Sequence, residues 1–145
     1  MYKCIIWGIG NDYERIINQL QFETLKGNIK VEALIARPQD IVENTLDGFR
    51  IINKEDVRYI KFDYIIITSS LFYKEICKEA MELGINEEQI INGSVMNIPL
   101  FDFKRYIQLI ENRITILSDD CWGGTHISLF VHAILFPADK YKLER

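Results

Sequence analysis

The sequence lacks the features that mark nucleic-acid-binding, membrane and secreted proteins. It has no run of basic residues, and its formal net charge is -4, so nothing in it indicates a nucleic-acid partner. No stretch approaches the roughly 20 consecutive apolar residues that a membrane helix needs. The first apolar run, at 4–7, is too short for the hydrophobic region of a signal peptide. We therefore expect a cytoplasmic protein without membrane insertion.

The chain also has few residues of the kinds that carry catalysis. Its three cysteines are odd in number and far apart, which favours free thiols. Cys121 and His126 could form a nucleophilic pair, but no third group can be placed to orient them, and two such residues are too few for a zinc site. A Tyr-x-x-x-Lys pair, as in short-chain dehydrogenases, is absent. We expect no catalytic residues, no metal site and no complete active site.

What the sequence does contain is an alternation of strand and helix patterns. A chain of 145 residues with 48% hydrophobic residues can bury a core of its own. Strands are predicted at 2–7, 29–36, 49–52, 63–68 and 89–91, and the helices between them imply right-handed crossovers. The predicted fold class is α/β: a Rossmann-like three-layer fold with an open parallel sheet of about five strands, order 3-2-1-4-5, and helices on both faces.

A Gly-x-Gly turn joins the first strand to the first helix. Gly8 permits a sharp turn, and Gly10 has no Cβ, so a phosphate could approach the main chain. Asn11 is the expected N-cap, and the N–H groups that open the helix would face an anion. Tyr13 stands where the full dinucleotide fingerprint has Gly or Ala, and Asp12 would repel a phosphate. A tight turn without any ligand is the alternative interpretation.

Other polar residues follow the carboxyl ends of the strands, where ligands bind in open α/β sheets. The hydroxyls of Thr68, Ser69 and Ser70 could reach a ribose or a phosphate, or could cap the next helix. Arg37, after the second strand, could face a 2′-phosphate or a diphosphate. No acidic residue stands at 36 or 37 to hold ribose hydroxyls, which argues against an NAD-type dehydrogenase or a methyltransferase.

Four runs in the same order resemble the N-terminal Rossmann-type module of bacterial capsular and exopolysaccharide biosynthesis proteins. They are 7–15 (WGIGNDYER), 62–70 (FDYIIITSS), 90–93 (IING) and 99–106 (PLFDFKRY). The resemblance implies a first domain at 1–112 that holds a nucleotide or a nucleotide-sugar.

Residues 114–124 (ITILSDDCWGG) resemble the opening of a second domain in an exopolysaccharide-biosynthesis family of unassigned activity. The sequence departs from that family after Gly124, so 113–145 is interpreted as the truncated start of a second domain, docked on the first or on a partner subunit. The apolar stretch at 127–136 would be partly exposed in a lone chain, from which we expect a homodimer.

These observations lead to one functional hypothesis and two alternatives. The chain is expected to be a nucleotide- or nucleotide-sugar-binding module of a polysaccharide-biosynthesis protein, not catalytic by itself. The alternatives are the remnant of an NADP-type oxidoreductase or sugar dehydratase that uses Arg37, and a ligand-free oligomerisation scaffold. The candidate ligand-binding residues are Gly8, Gly10, Asn11, Asp12, Arg37, Thr68, Ser69 and Ser70.

Overall fold

The computed structural model describes residues 1–112, which form a mixed α/β fold around a six-stranded sheet. The strands are β1 (Tyr2–Trp7), β2 (Ile29–Ile35), β3 (Thr45–Leu46), β4 (Phe49–Ile52), β5 (Tyr64–Ile67) and β6 (Ile90–Asn92). The α-helices are α1 (Asn11–Leu25), α2 (Tyr73–Glu82) and α3 (Phe103–Glu111). Short 3₁₀ helices lie at Pro38–Asp40, Lys54–Tyr59, Glu87–Gln89 and Gly93–Asn97.

The sheet is parallel except at one edge. Its spatial order is β3-β4-β2-β1-β5-β6, and β1 pairs in parallel with β2 on one side and with β5 on the other. The five parallel strands therefore follow the predicted order 3-2-1-4-5, and the parallel pairing of the first two strands is confirmed. The connections run outward from β1 in both directions, so the strand order reverses between β1 and β5.

The expected count of about five strands was one too low. The additional strand, β3, pairs antiparallel with β4 through the turn at Asp47 and Gly48. Both turn residues have positive φ (51° and 81°), the backbone that a two-residue type I′ hairpin turn requires. A strand of two residues is too short to show a period in the sequence, so only the turn was visible there.

Side chains alternate between two cores, one on each face of the sheet. On one face Ile6 and Ile66 pack with Tyr13 of α1 and Phe103 of α3. On the other face Ile5, Ile65 and Ile67 pack with Ala80 of α2 and Val57. The nearly continuous apolar run at 64–67 predicts a strand covered on both faces, and Ile66 within it is fully buried. Helices thus lie on both faces of the sheet.

In residues 1–112 no helix is both long enough and apolar enough to cross a membrane. Four expectations lie outside the described residues: the second domain at 113–145, the Cys121–His126 pair, the dimer contact at 127–136, and a strand that the apolar pattern at 114–118 also predicts.

Candidate functional site

The predicted ligand-binding residues lie along the carboxyl edge of the sheet. Trp7, the last residue of β1, pairs with Ile35 at the end of β2 and with Ile67 at the end of β5. Every candidate residue lies in the loops that follow these three strands or in the first turn of α1. The strand order reverses between β1 and β5, which is where open α/β sheets bind ligands, and we call the junction between the loop at 8–10 and the loop at 68–72 the crevice.

Gly8 is required by the fold itself. Its φ is +111°, which side chains disfavour, and its N–H donates to the carbonyl oxygen of Ile35 at 2.9 Å. A Cβ at this position would overlap the hydroxyl oxygen of Thr68. The space beside Gly8 that glycine leaves free is therefore occupied by the Thr68 side chain and not by a ligand.

Thr68 holds the loops after β1 and β5 together. Its side chain is buried, and its hydroxyl lies within hydrogen-bond distance of the carbonyl oxygens of Trp7 (3.2 Å) and Gly8 (3.0 Å). Its backbone N–H also donates to the carbonyl of Trp7 at 3.0 Å. The hydroxyl of Thr68 is thus engaged inside the protein and faces no open space.

Gly10, in contrast, faces open space. It is the N-cap residue of α1, so the expectation that Asn11 caps the helix was wrong: Asn11 is the first helical residue. A Cβ built on Gly10 would meet no atom within 4 Å, and the backbone there (φ -83°) suits any residue. The first N–H groups of an α-helix have no partner within it, and Gly10 supplies no side chain to cap them.

Asp12 bridges the crevice. Its Oδ2 accepts hydrogen bonds from the backbone N–H of Ser70 at 2.9 Å and from the Ser70 hydroxyl at 2.8 Å. Its Oδ1 lies 3.4 Å from the guanidinium of Arg15. Both hydrogen bonds lower the pKa of the Asp12 carboxyl, the one from the backbone N–H of Ser70 more than the one from its hydroxyl. The group is therefore ionised at neutral pH. An ionised carboxylate thus lies beside the first turn of α1.

The remaining candidate residues have local partners. The Ser69 hydroxyl accepts from the N–H of Phe72 at 3.2 Å, in the turn before α2. The N-cap residue of α2 is Phe72 and no side chain caps this helix, so the alternative in which these hydroxyls cap it was wrong. Arg37 donates to both oxygens of Asp40, with Nε 2.8 Å from Oδ2, and its side chain is 67% exposed. Arg37 lies at the same edge of the sheet, but its hydrogen bonds within residues 1–112 go to Asp40 and not to the other candidates.

Tyr13 replaces the third glycine of the fingerprint without filling the crevice. Its ring is buried in the core between α1 and the sheet, and its hydroxyl donates to Asp47 in the β3–β4 turn at 2.9 Å. Burial, followed by this hydrogen bond, raises the pKa of Tyr13. A large side chain at this position therefore changes the packing of α1 on the sheet and leaves the space above Gly10 open.

Residues 1–91 match the family model described as C2185-like, N-terminal, which is more than half of the chain's 145 residues. The chain belongs to the C2185-like, N-terminal family. No curated protein matches it. All eight candidate residues of this C2185-like domain lie within the matched range, as do β1 to β5.

Sequence reasoning missed two contacts of the C2185-like site. One is the bridge from Asp12 to Ser70, whose members are 58 residues apart in the chain. The other is the pairing of Arg37 with Asp40, which places a carboxylate near the end of β2, three residues beyond Arg37. A signal for the second was present, because i,i+3 pairs of opposite charge at the start of a short helix often meet.

Proposed function

We propose that this C2185-like domain binds a nucleotide or a nucleotide-sugar in the crevice between β1 and β5, and that its fold is Rossmann-like. The observation that carries the proposal is the open space above Gly10, at the N-terminus of a 15-residue helix and at the point where strand order reverses. A phosphate there could accept hydrogen bonds from the first N–H groups of α1 and would be stabilised by the helix dipole.

Asp12 gives the crevice a second kind of binding group. Its Oδ2 is occupied by Ser70, while Oδ1 has only the 3.4 Å contact to Arg15 within residues 1–112. An ionised carboxylate repels phosphate but accepts hydrogen bonds from sugar hydroxyls. A ligand that joins a phosphate to a sugar would use both groups, which favours a nucleotide-sugar over inorganic phosphate.

The biological setting is proposed from the resemblance of four sequence runs to capsular and exopolysaccharide biosynthesis modules. Two of these runs contain candidate residues: 7–15 with the glycine turn, and 62–70 with β5 and its loop. We place the domain in such a biosynthetic protein, as a module that presents an activated sugar.

Calorimetry on two variants tests the proposal. Gly10→Val should abolish binding of UDP-glucose, because the branched side chain fills the space above the main chain. Gly10→Ser should also weaken binding, since its hydroxyl would compete for the same N–H groups, while stability is kept or slightly raised by the better N-cap. Asn18→Val, on the exposed surface of α1, is the control and should bind as the unchanged protein does.

The outcomes separate the proposal from its alternatives. Equal affinity of the Gly10 variants and the unchanged protein would place the ligand elsewhere. Failure of UDP-glucose, UDP and NADP to bind at ~1 mM, where a micromolar site would be saturated, would refute nucleotide binding and leave the scaffold role. Binding of NADP alone, lost in Arg37→Gln, would favour the oxidoreductase remnant, which requires Arg37 to leave Asp40.

A further inference from the structure

A groove of about 350 Å³ lies at the opposite, amino edge of the sheet. One wall is the segment that leads into β5, with Ile60, Lys61 and Phe62, and the other is the segment from α2 to β6, with Leu83 and Ile85. Gly8 and Ser70 lie at the far ends of β1 and β5, so the groove is separate from the crevice described above. Its volume is within the range of small-molecule sites.

Part of the floor of the groove consists of apolar side chains that the core supports. Ile85 is buried in the core that α2 shares with the sheet, and Ile60, Phe62 and Leu83 pack against that core while remaining partly accessible. Gln89, beside the floor, is fixed by its own amide: Oε1 accepts from the N–H of Asn86 and Nε2 donates to the carbonyl of Asp63, both at 3.3 Å. The groove therefore has a mixed lining, in which firm apolar side chains lie beside a similar area of polar groups.

The rim of the groove is cationic. Arg58 and Lys61 line it, and no acidic residue does. Within residues 1–112 neither side chain has an ion pair, although the chain as a whole carries a net charge of -4. Glu79 and Glu82 line an adjoining depression together with Arg58 and Lys54. Two cations without ion pairs beside apolar side chains complement a ligand with an acidic head and an apolar body.

We propose that this groove is a binding site for a small amphipathic anion, in which Arg58 and Lys61 hold the acidic group and Ile60, Phe62, Leu83 and Ile85 cover an aromatic or short aliphatic body. The guanidinium of Arg58 suits a carboxylate or a phosphate because it can donate two parallel hydrogen bonds. The proposal is independent of nucleotide binding, since the two sites lie at opposite edges of the sheet.

The test is an NMR titration with 4-phenylbutyrate and with its uncharged analogue 4-phenyl-1-butanol. We expect the acid to shift the amide signals of Gly84 and Ile85 in a saturable way while those of Gly8 and Gly10 stay in place. The alcohol should bind at least tenfold more weakly. Raising the salt concentration should lower the affinity for the acid and leave the affinity for the alcohol unchanged, because salt screens an exposed charge contact.

The double variant Arg58→Gln/Lys61→Gln should lower the affinity for the acid at least tenfold. Lys104→Gln/Arg105→Gln removes the same charge from exposed positions on α3 and should leave that affinity unchanged. Both pairs are exposed, so circular dichroism should show intact folding. Equal binding of acid and alcohol, equal loss in both double variants, or no saturable shift at ~10 mM acid would each overturn the proposal.

Discussion

Replacement of Gly8 by alanine tests how the turn after β1 is built. Two separate penalties are expected. The backbone at φ +111° is unfavourable for any residue with a Cβ, and the new Cβ would overlap the hydroxyl of Thr68. Thr68 cannot move without giving up its contacts to the carbonyls of Trp7 and Gly8, inside a buried environment.

The size of each penalty follows from its cause. Strain at a disfavoured φ contributes about 1–3 kcal/mol, and displacing a buried hydroxyl from its acceptors contributes about 1–3 kcal/mol more. Gly8→Ala should therefore lower the free energy of unfolding by about 2–6 kcal/mol. Thr68→Ala alone should lower it by about 1–2 kcal/mol. In the double variant the overlap is gone, so its loss should be smaller than the sum of the single losses by about 1–3 kcal/mol.

Urea unfolding followed by far-ultraviolet circular dichroism measures all four free energies of the cycle. Gly48→Ala is the matched control, since Gly48 has a similar φ of +81° but a Cβ there meets no atom within 4 Å. It should show strain alone and should be additive with Thr68→Ala. Additivity of Gly8→Ala with Thr68→Ala within ~0.5 kcal/mol would refute the proposed overlap, because independent sites add to that accuracy.

Two further predictions concern carboxylates. The pKa of the Asp12 carboxyl is lowered in the folded state, so the stability that this group contributes is complete above its unfolded pKa of about 3.9 and is lost as pH falls through the lower folded pKa. Asp12→Asn removes this contribution, so the free energy of unfolding of the variant should decrease less in acid than that of the unchanged protein. Urea melts from pH 6 to pH 2 measure the difference. Glu23→Ala should lower the free energy of unfolding by about 2–4 kcal/mol, because it removes a fully buried carboxylate that accepts from the N–H of Phe103. Glu14→Ala, on the exposed face of α1, is the control and should change it by less than ~0.5 kcal/mol in the same assay.

The parts of the fold that the sequence predicted are those with a strong local pattern. The bounds of β1 and β4 agree with the prediction, and β2 and β5 differ only at their ends, because apolar runs in these segments are closed by glycine or polar residues. The sequence pattern predicts a short helix around 54–60, and the structure has a 3₁₀ helix at Lys54–Tyr59. It also predicts a helix that opens at Ser69 and Ser70, whereas α2 begins at Tyr73. Helix type and helix ends depend on a few local hydrogen bonds that periodicity does not encode.

Contacts between distant segments were harder to predict, both in the core and in the candidate site. Glu23 reads in the sequence as an ordinary charged residue of an amphipathic helix, yet it is fully buried and accepts from Gln19, Asn28 and Phe103. Asp12 was recognised as adverse to phosphate, but its bond to Ser70 depends on how the loops after β1 and β5 meet. Such pairs follow from tertiary packing, which the order of residues alone does not determine.

The two glycines of the turn now have different explanations. Gly8 is explained by the fold, because its φ is positive and Thr68 occupies the place of a side chain. Gly10 is not explained in this way, since within residues 1–112 no atom approaches its Cβ position and its backbone angles suit any residue. A serine there would cap α1 better than glycine does. Glycine at position 10 makes the helix less stable than serine would, but it leaves the N-terminus of α1 accessible to a phosphate. For this reason it is Gly10, and not Gly8, that supports nucleotide binding.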